Sequence, residues 1–204
     1  MSDRRVLLAT RNEHKVSEIR DLLKDLPVEL VSVADVGIQE EPAEAGIEMY
    51  GSFAANALAK ASWFRVRSGL PTLADDSGLC VDALAGGPGV HSRRFAALAD
   101  VTADQDAANN SHLLSLLNAI PDESRGACYR CALALIDDTN QVVVFGRVDG
   151  RIAESETGAG GFGYDPLFIP SGYEATFGVL PPEVKAKHSH RAAAVASIRP
   201  WLIR

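Results

Sequence analysis

Val6-Leu7-Leu8-Ala9-Thr10-Arg11-Asn12-Glu13-His14-Lys15-Val16 opens as an apolar run, passes through a polar turn and enters an amphipathic pattern. Residues 6–9 read as a buried strand. From 14 to about 25, Val16, Ile19, Leu22, Leu23 and Leu26 recur at helical spacing on one face. Pro27 ends that helix, and residues 28–33 read as the next strand. Strand, polar turn, helix, strand is the opening of an α/β chain.

Residues 39–51 are acidic and irregular, and carry Glu40, Glu41, Glu44 and Glu48. Ser52 caps a helix to about 68, with Phe53, Ala57, Ala61 and Phe64 toward the core. Residues 71–74 form a short strand that delivers Asp75-Asp76-Ser77-Gly78. Gly86-Gly87-Pro88-Gly89 is a loop. Thr102 with Gln105 resembles a capping box that opens a helix bearing Leu113, Leu114, Leu116 and Leu117. Residues 128–136 and 141–148 read as a hairpin around Asp137-Asp138-Thr139-Asn140. A glycine-rich loop runs over 158–163. The last helix begins near Ser189 and is disturbed by Pro200. The reading gives one domain over 1–204, with two lobes and a central cleft.

A chain of 204 residues with 47% hydrophobic and 23% charged residues can bury a core without disulfides or structural metals. Its net charge of −7 and lack of a basic run argue against sequence-independent grip on nucleic acid. Apolar stretches are too short for a membrane span or an export signal, so a cytoplasmic location is expected. Cys128-Tyr129-Arg130-Cys131 matches C-x-x-C, but it lies in a strand and has no further metal-ligand spacing around it. The cysteines read as buried strand residues.

Several segments carry candidate chemistry. Thr10, Arg11, Asn12, Glu13, His14 and Lys15 lead into a helix N-terminus, where free N–H groups favour phosphate. Lys15 sits in the first turn, where the helix dipole disfavours a cation. Asp75 and Asp76 are adjacent in a strand and so face opposite ways. One can bind Mg²⁺ or activate water while the other orients it or packs beneath it. Gly158-Ala159-Gly160-Gly161-Phe162-Gly163 fits G-x-G-x-x-G by letter, but no apolar strand leads into it and Asp165-Pro166 follows it. It reads instead as a loop where backbone approaches a planar ligand, with Phe162 or Tyr164 stacking on a base and Asp165 accepting from its edge. Lys185, Lys187, His188, His190 and Arg191 form a basic cluster. D-x-D spacing is absent, which disfavours a haloacid-type phosphatase. A non-catalytic nucleotide-binding module and a pyrophosphatase for pyrimidine or modified nucleotides remain as other readings.

Thr10-Arg11-Asn12-x-x-Lys15, Ala74-Asp75-Asp76-Ser77-Gly78-Leu79, Gly161-Phe162-Gly163-Tyr164-Asp165-Pro166 and Ser189-His190-Arg191 together resemble the inosine triphosphate pyrophosphatase family. The likeness is collinear from Val6 to about Ala194. It implies hydrolysis of inosine, deoxyinosine or xanthosine triphosphate to monophosphate and pyrophosphate, dependence on Mg²⁺, a homodimer, and a long mixed β-sheet flanked by helices. By motif matching, Asp76 is the general base and a magnesium ligand. Residues 10–15 and Ser77 bind the triphosphate. Phe162, Gly163, Tyr164, Asp165, Lys185, His190 and Arg191 hold the nucleotide, with Arg191 or His190 donating to a keto base. The resemblance departs before Gly51-Ser52-Phe53, where Ile47-Glu48-Met49-Tyr50 reads as a short insertion. The second magnesium ligand is then Glu41 or Glu44, with Glu48 as the remaining alternative.

Overall fold

The deciding stretch folds as read in the computed structural model, which describes residues 4–96 and 104–203. Strand β1 (Arg4–Leu8) fully buries Val6, Leu7 and Leu8. Helix α1 (Glu13–Leu23) starts where Asn12 accepts the Lys15 backbone N–H, and it buries Val16, Ile19 and Leu23. Strand β2 (Val28–Ser32) returns parallel to β1. Helix α2 (Phe53–Ser68) is capped by Ser52, and Gly69 at φ 69° ends it.

The remaining elements are β3 (Thr72–Val81), α3 (Gln105–Leu117), β4 (Gly126–Ile136), β5 (Gln141–Ile152), β6 (Phe168–Pro170), α4 (Pro182–His188) and α5 (His190–Leu202). Six strands form one sheet in the order β2-β1-β3-β4-β5-β6. Pairing is parallel for β1 with β2 and β3, and antiparallel for β5 with β6. The mixed sheet with helices is therefore the α/β architecture the sequence implied. No helix among the described residues is long and apolar enough to cross a membrane.

The chain divides into two compact units. The first comprises Met1–Asp76, Cys131–Gly146 and Arg191–Arg204, and the second Ser77–Arg130 and Arg147–His190. In the first unit, α1 and α5 pack Val16, Ile19, Val195 and Ile198 with Val6, Leu8, Leu133 and Leu135. Ala57, Ala61 and Phe64 of α2 pack with Leu7, Ala74, Ala132 and Ala134. The β4–β5 turn is tied down by Asp137, whose Oδ1 accepts from the backbone of Thr139 at 2.9 Å and Asn140 at 2.7 Å. In the second unit, Leu113 and Leu117 of α3 pack with Leu79, Tyr129, Tyr164 and Phe168.

Four expectations need correction. β3 does not stop at Ala74 but runs through both aspartates to Val81. The turn preference of Asp-Ser-Gly is overridden because each carboxylate finds partners inside the fold. Residues 42–46 are a 3₁₀ turn, capped reciprocally by Glu41 and Glu44, rather than irregular chain. Helix α5 continues past Pro200 to Leu202, where the burial of Ile198 and Leu202 offsets the hydrogen bond that the proline cannot donate. Helix α3 is capped by Asp104, which accepts from Asp106 and Ala107, whereas Thr102 lies outside the described residues.

Candidate active site

Alternation along β3 gives the two carboxylates different hydrogen-bond partners, Arg191 for Asp75 and Asn56 for Asp76, while Lys15 and Lys60 act on both. The Asp75 side chain is wholly buried in the first unit. Lys15 Nζ lies 2.9 Å from its Oδ1, and the Arg191 guanidinium lies 3.0 Å from its Oδ2. Cys131 Sγ is 3.9 Å from the same Oδ2, and Lys60 Nζ donates to the Asp75 carbonyl at 2.9 Å. Burial alone would raise the Asp75 carboxyl, but Lys15, Arg191 and Lys60 outweigh it and hold the group well below the usual carboxylate range. Asp75 is a fixed anion. Its pairing with Lys15 also resolves the local conflict of a cation in the first turn of α1.

Asp76 has the opposite balance. Burial pushes its carboxyl above the ordinary value. Lys60, Lys15 and the Asn56 amide pull it back, and nearby Glu48 adds to the rise. Asn56 Nδ2 donates to Asp76 Oδ2 at 3.0 Å, while Asn56 Oδ1 accepts the Tyr50 N–H at 2.9 Å. Lys60 is ion-paired with Glu48. Burial by itself would lower the Lys60 ammonium, but Glu48, Asp75 and Asp76 more than offset it and keep the side chain charged.

The three early glutamates each meet a different cation, Glu48 pairing with Lys60. Glu44 is gripped by Arg11, with Oε2 2.8 Å from Nε and Oε1 2.5 Å from Nη2. Glu41 accepts from Arg67 at 3.2 Å. Glu48 acts on the Asp76 carboxyl and raises it. No cluster of three His, Cys, Asp or Glu side chains fit to hold a metal occurs among the described residues. Two carboxylates, Asp76 and Glu48, are nevertheless a donor set that suits magnesium, a hard cation that completes its shell with water and substrate phosphates.

The other residues of 10–15 divide. Thr10 Oγ1 accepts the Asn12 N–H at 3.2 Å, and Asn12 caps α1, so both shape the turn. Glu13 and His14 are exposed.

The second unit organises the glycine-rich loop. Asp165 is buried, and its Oδ2 accepts the Phe162 N–H at 2.8 Å and Lys185 Nζ at 2.5 Å. Lys185 Nζ also lies 4.4 Å from the centre of the Phe162 ring. A Cβ at Gly161, where φ is +75°, would fall 2.0 Å from Asp165 Oδ2, so only glycine lets the carboxylate close on the loop. Gly163 is bonded by Asp106 and Asn110 of α3. Tyr164 is turned inward, with its hydroxyl donating to the Ser92 carbonyl at 2.7 Å. Phe162 is thus the aromatic side chain of this loop suited to stacking. His190 is buried and stacks on Tyr129 with ring centres 4.7 Å apart. Ser77 is half-buried in β3.

A family model described as the Ham1 family matches residues 6–201. The chain belongs to the Ham1 family. Among its relatives, the dITP/XTP pyrophosphatase of Porphyromonas gingivalis is 43% identical, with 98% of this chain and 97% of the relative covered. The dITP/XTP pyrophosphatase of Nocardia farcinica is 44% identical, covering 99% and 96%. A Ham1 protein structure from Coxiella burnetii matches with a TM-score of 0.83 at 33% identity, covering 98% of both chains. The structure of a nucleoside-triphosphatase / dITP/XTP pyrophosphatase from Mycobacterium abscessus matches with a TM-score of 0.72 at 44% identity, covering 96% of this chain and 99% of the other.

Three residues of this Ham1 chain lie outside the sequence motifs yet join the charged network: Asn56, Lys60 and Glu18, the last of which is ion-paired with Arg191. Asn56 and Lys60 lie on α2 at i and i+4, two polar residues on an otherwise apolar helix face, and that pattern was a usable signal. Arg191, expected to read the base, is almost fully buried. Burial would lower its guanidinium, but Asp75 and Glu18 keep it above its ordinary range.

Proposed function

We propose that this chain hydrolyses non-canonical purine nucleoside triphosphates, dITP, XTP and ITP, to the monophosphate and pyrophosphate, in a magnesium-dependent reaction. The observation that carries the reading is 43–44% identity over nearly the whole chain to dITP/XTP pyrophosphatases. The raised carboxyl of Asp76 beside Lys60 supplies chemistry that suits it.

In this reading Asp76 accepts a proton from the water that attacks the α-phosphorus, and pyrophosphate leaves. A buried carboxylate raised above its ordinary range is a better base than a solvated one, and such help is typically worth about 10²–10⁴-fold in rate. Asn56 holds one oxygen of Asp76 and so orients the other. Asp76 and Glu48 would hold magnesium, which when bound withdraws charge from the phosphate oxygens. Lys60 and Lys15 add positive charge where the transition state gains negative charge. Asp75 and Arg191 act as a buried brace that fixes Lys15. Recognition of the base falls to Phe162, Asp165 and Lys185, and His190 supports the start of α5. The protein is read as one functional domain, a cytoplasmic homodimer by the family likeness.

Product analysis with dITP, ITP, XTP, dATP and dGTP, with and without Mg²⁺, tests this. Monophosphate and pyrophosphate from the first three only, abolished by chelation, are expected. Orthophosphate as first product, or equal turnover of dATP, would overturn the reading.

A further inference from the structure

Helix α3 grips the glycine-rich loop at a single residue, from both sides. Asp106 Oδ2 accepts the Gly163 N–H at 2.7 Å, and Asn110 Nδ2 donates to the Gly163 carbonyl at 3.2 Å. The two side chains are four residues apart and share a helix face. Their bonds fix the two peptide planes that flank Gly163, whose φ of +64° only glycine adopts without cost. The neighbouring Asn109 holds the carbonyls of Ser92 at 3.2 Å and Arg93 at 3.1 Å. The Ser92 carbonyl in turn accepts the Tyr164 hydroxyl. One helix thus sets Gly163 directly and Tyr164 at one remove.

Asn110 carries a further sign. It is buried, yet its Oδ1 has no hydrogen-bond partner among the described residues. An unmet buried acceptor is a cost that an apolar residue of similar size would avoid. What the amide gives in return is its bond to Gly163.

We propose that Asp106 and Asn110 are positioning residues for nucleotide recognition, holding the backbone around Gly163 in the shape that presents Phe162 to the base. Neither residue touches the nucleotide, and the inference rests on the reading that assigns base recognition to Phe162, Asp165 and Lys185. Their role is in binding the base end of the substrate, not in the hydrolytic step.

The test compares Asp106→Ala, Asp106→Asn and Asn110→Leu with the wild type, using dITP as substrate and inorganic tripolyphosphate, which lacks a base, as competing ligand. Asp106 is exposed, so its substitution leaves the core intact. Asp106→Ala and Asn110→Leu are expected to raise KM for dITP by about tenfold or more, with kcat within about threefold. The inhibition constant of tripolyphosphate should stay within about twofold of wild type. Asp106→Asn keeps an oxygen for the Gly163 N–H and should return KM to within about threefold. The Gly163 amide resonance should move in Asp106→Ala and move least in Asp106→Asn. Unchanged KM in both Asp106→Ala and Asn110→Leu, or a parallel weakening of tripolyphosphate, overturns the inference while leaving the proposed activity standing. A wild-type protein that does not turn over dITP overturns the activity and the inference with it.

Discussion

Lys15 Nζ stands 2.9 Å from Oδ1 of Asp75, joining the first turn of α1 to the middle of β3. A glycine-free polar turn delivers the lysine, and strand alternation turns Asp75 toward it and away from Asn56, which holds Asp76. Arg191 closes on the other oxygen of Asp75. The carboxylate is buried, and the three charges hold one another in place.

Asp75→Asn removes the anion that Lys15 and Arg191 share. Uncompensated buried cations should cost about 3–5 kcal/mol in stability, read by chemical denaturation. The pH dependence has a definite sign. The folded Asp75 carboxyl lies below its unfolded value of about 3.9, so its contribution is complete above that pH and is lost as acid is added. The wild type should therefore lose stability more steeply than Asp75→Asn from about pH 5 downward. Parallel acid curves would contradict the assignment.

Much of this was legible in the sequence, and the gaps have physical causes. The 3.6-residue pattern of Val16, Ile19 and Leu23 and the Ser52 cap located α1 and α2 because both signals are local. The extent of β3 was not legible, because acids in mid-strand are tolerated only where distant cations meet them. Helix α4 buries no residue and so leaves no apolar period in the sequence, although Pro182 at its start and Lys185, Lys187 and His188 in its last turn carry the expected polarity. β6 is three residues long, too short to show alternation. At the site, Asp76 stood out by its motif. The proposal of Glu48 over Glu41 and Glu44 rests on which arginine or lysine each meets, and that is a tertiary relationship.

That choice gives a second prediction. Glu48→Gln should weaken magnesium activation and lower dITP turnover by about tenfold or more. Glu41→Gln and Glu44→Gln, which break only half-exposed pairs with Arg67 and Arg11, should stay within about threefold of wild type. Magnesium titrations of initial rate separate the outcomes. A large loss in Glu44→Gln with none in Glu48→Gln would reverse the assignment.

Asn56→Ala should lower kcat for dITP by about tenfold, since Asp76 Oδ2 loses its amide donor and the free oxygen its orientation. The amide pulls the Asp76 carboxyl down, so removing it raises that carboxyl further. The acid limb of the pH–rate profile should accordingly shift to higher pH. A profile superimposable on wild type would count against the role given to Asn56.

The most direct test is single-turnover release of pyrophosphate from dITP by Asp76→Asn in saturating magnesium, with folding checked by circular dichroism and thermal melting. The account predicts a folded protein whose rate is lower than wild type by about a hundredfold or more. A folded Asp76→Asn that releases pyrophosphate at near wild-type rate would contradict it.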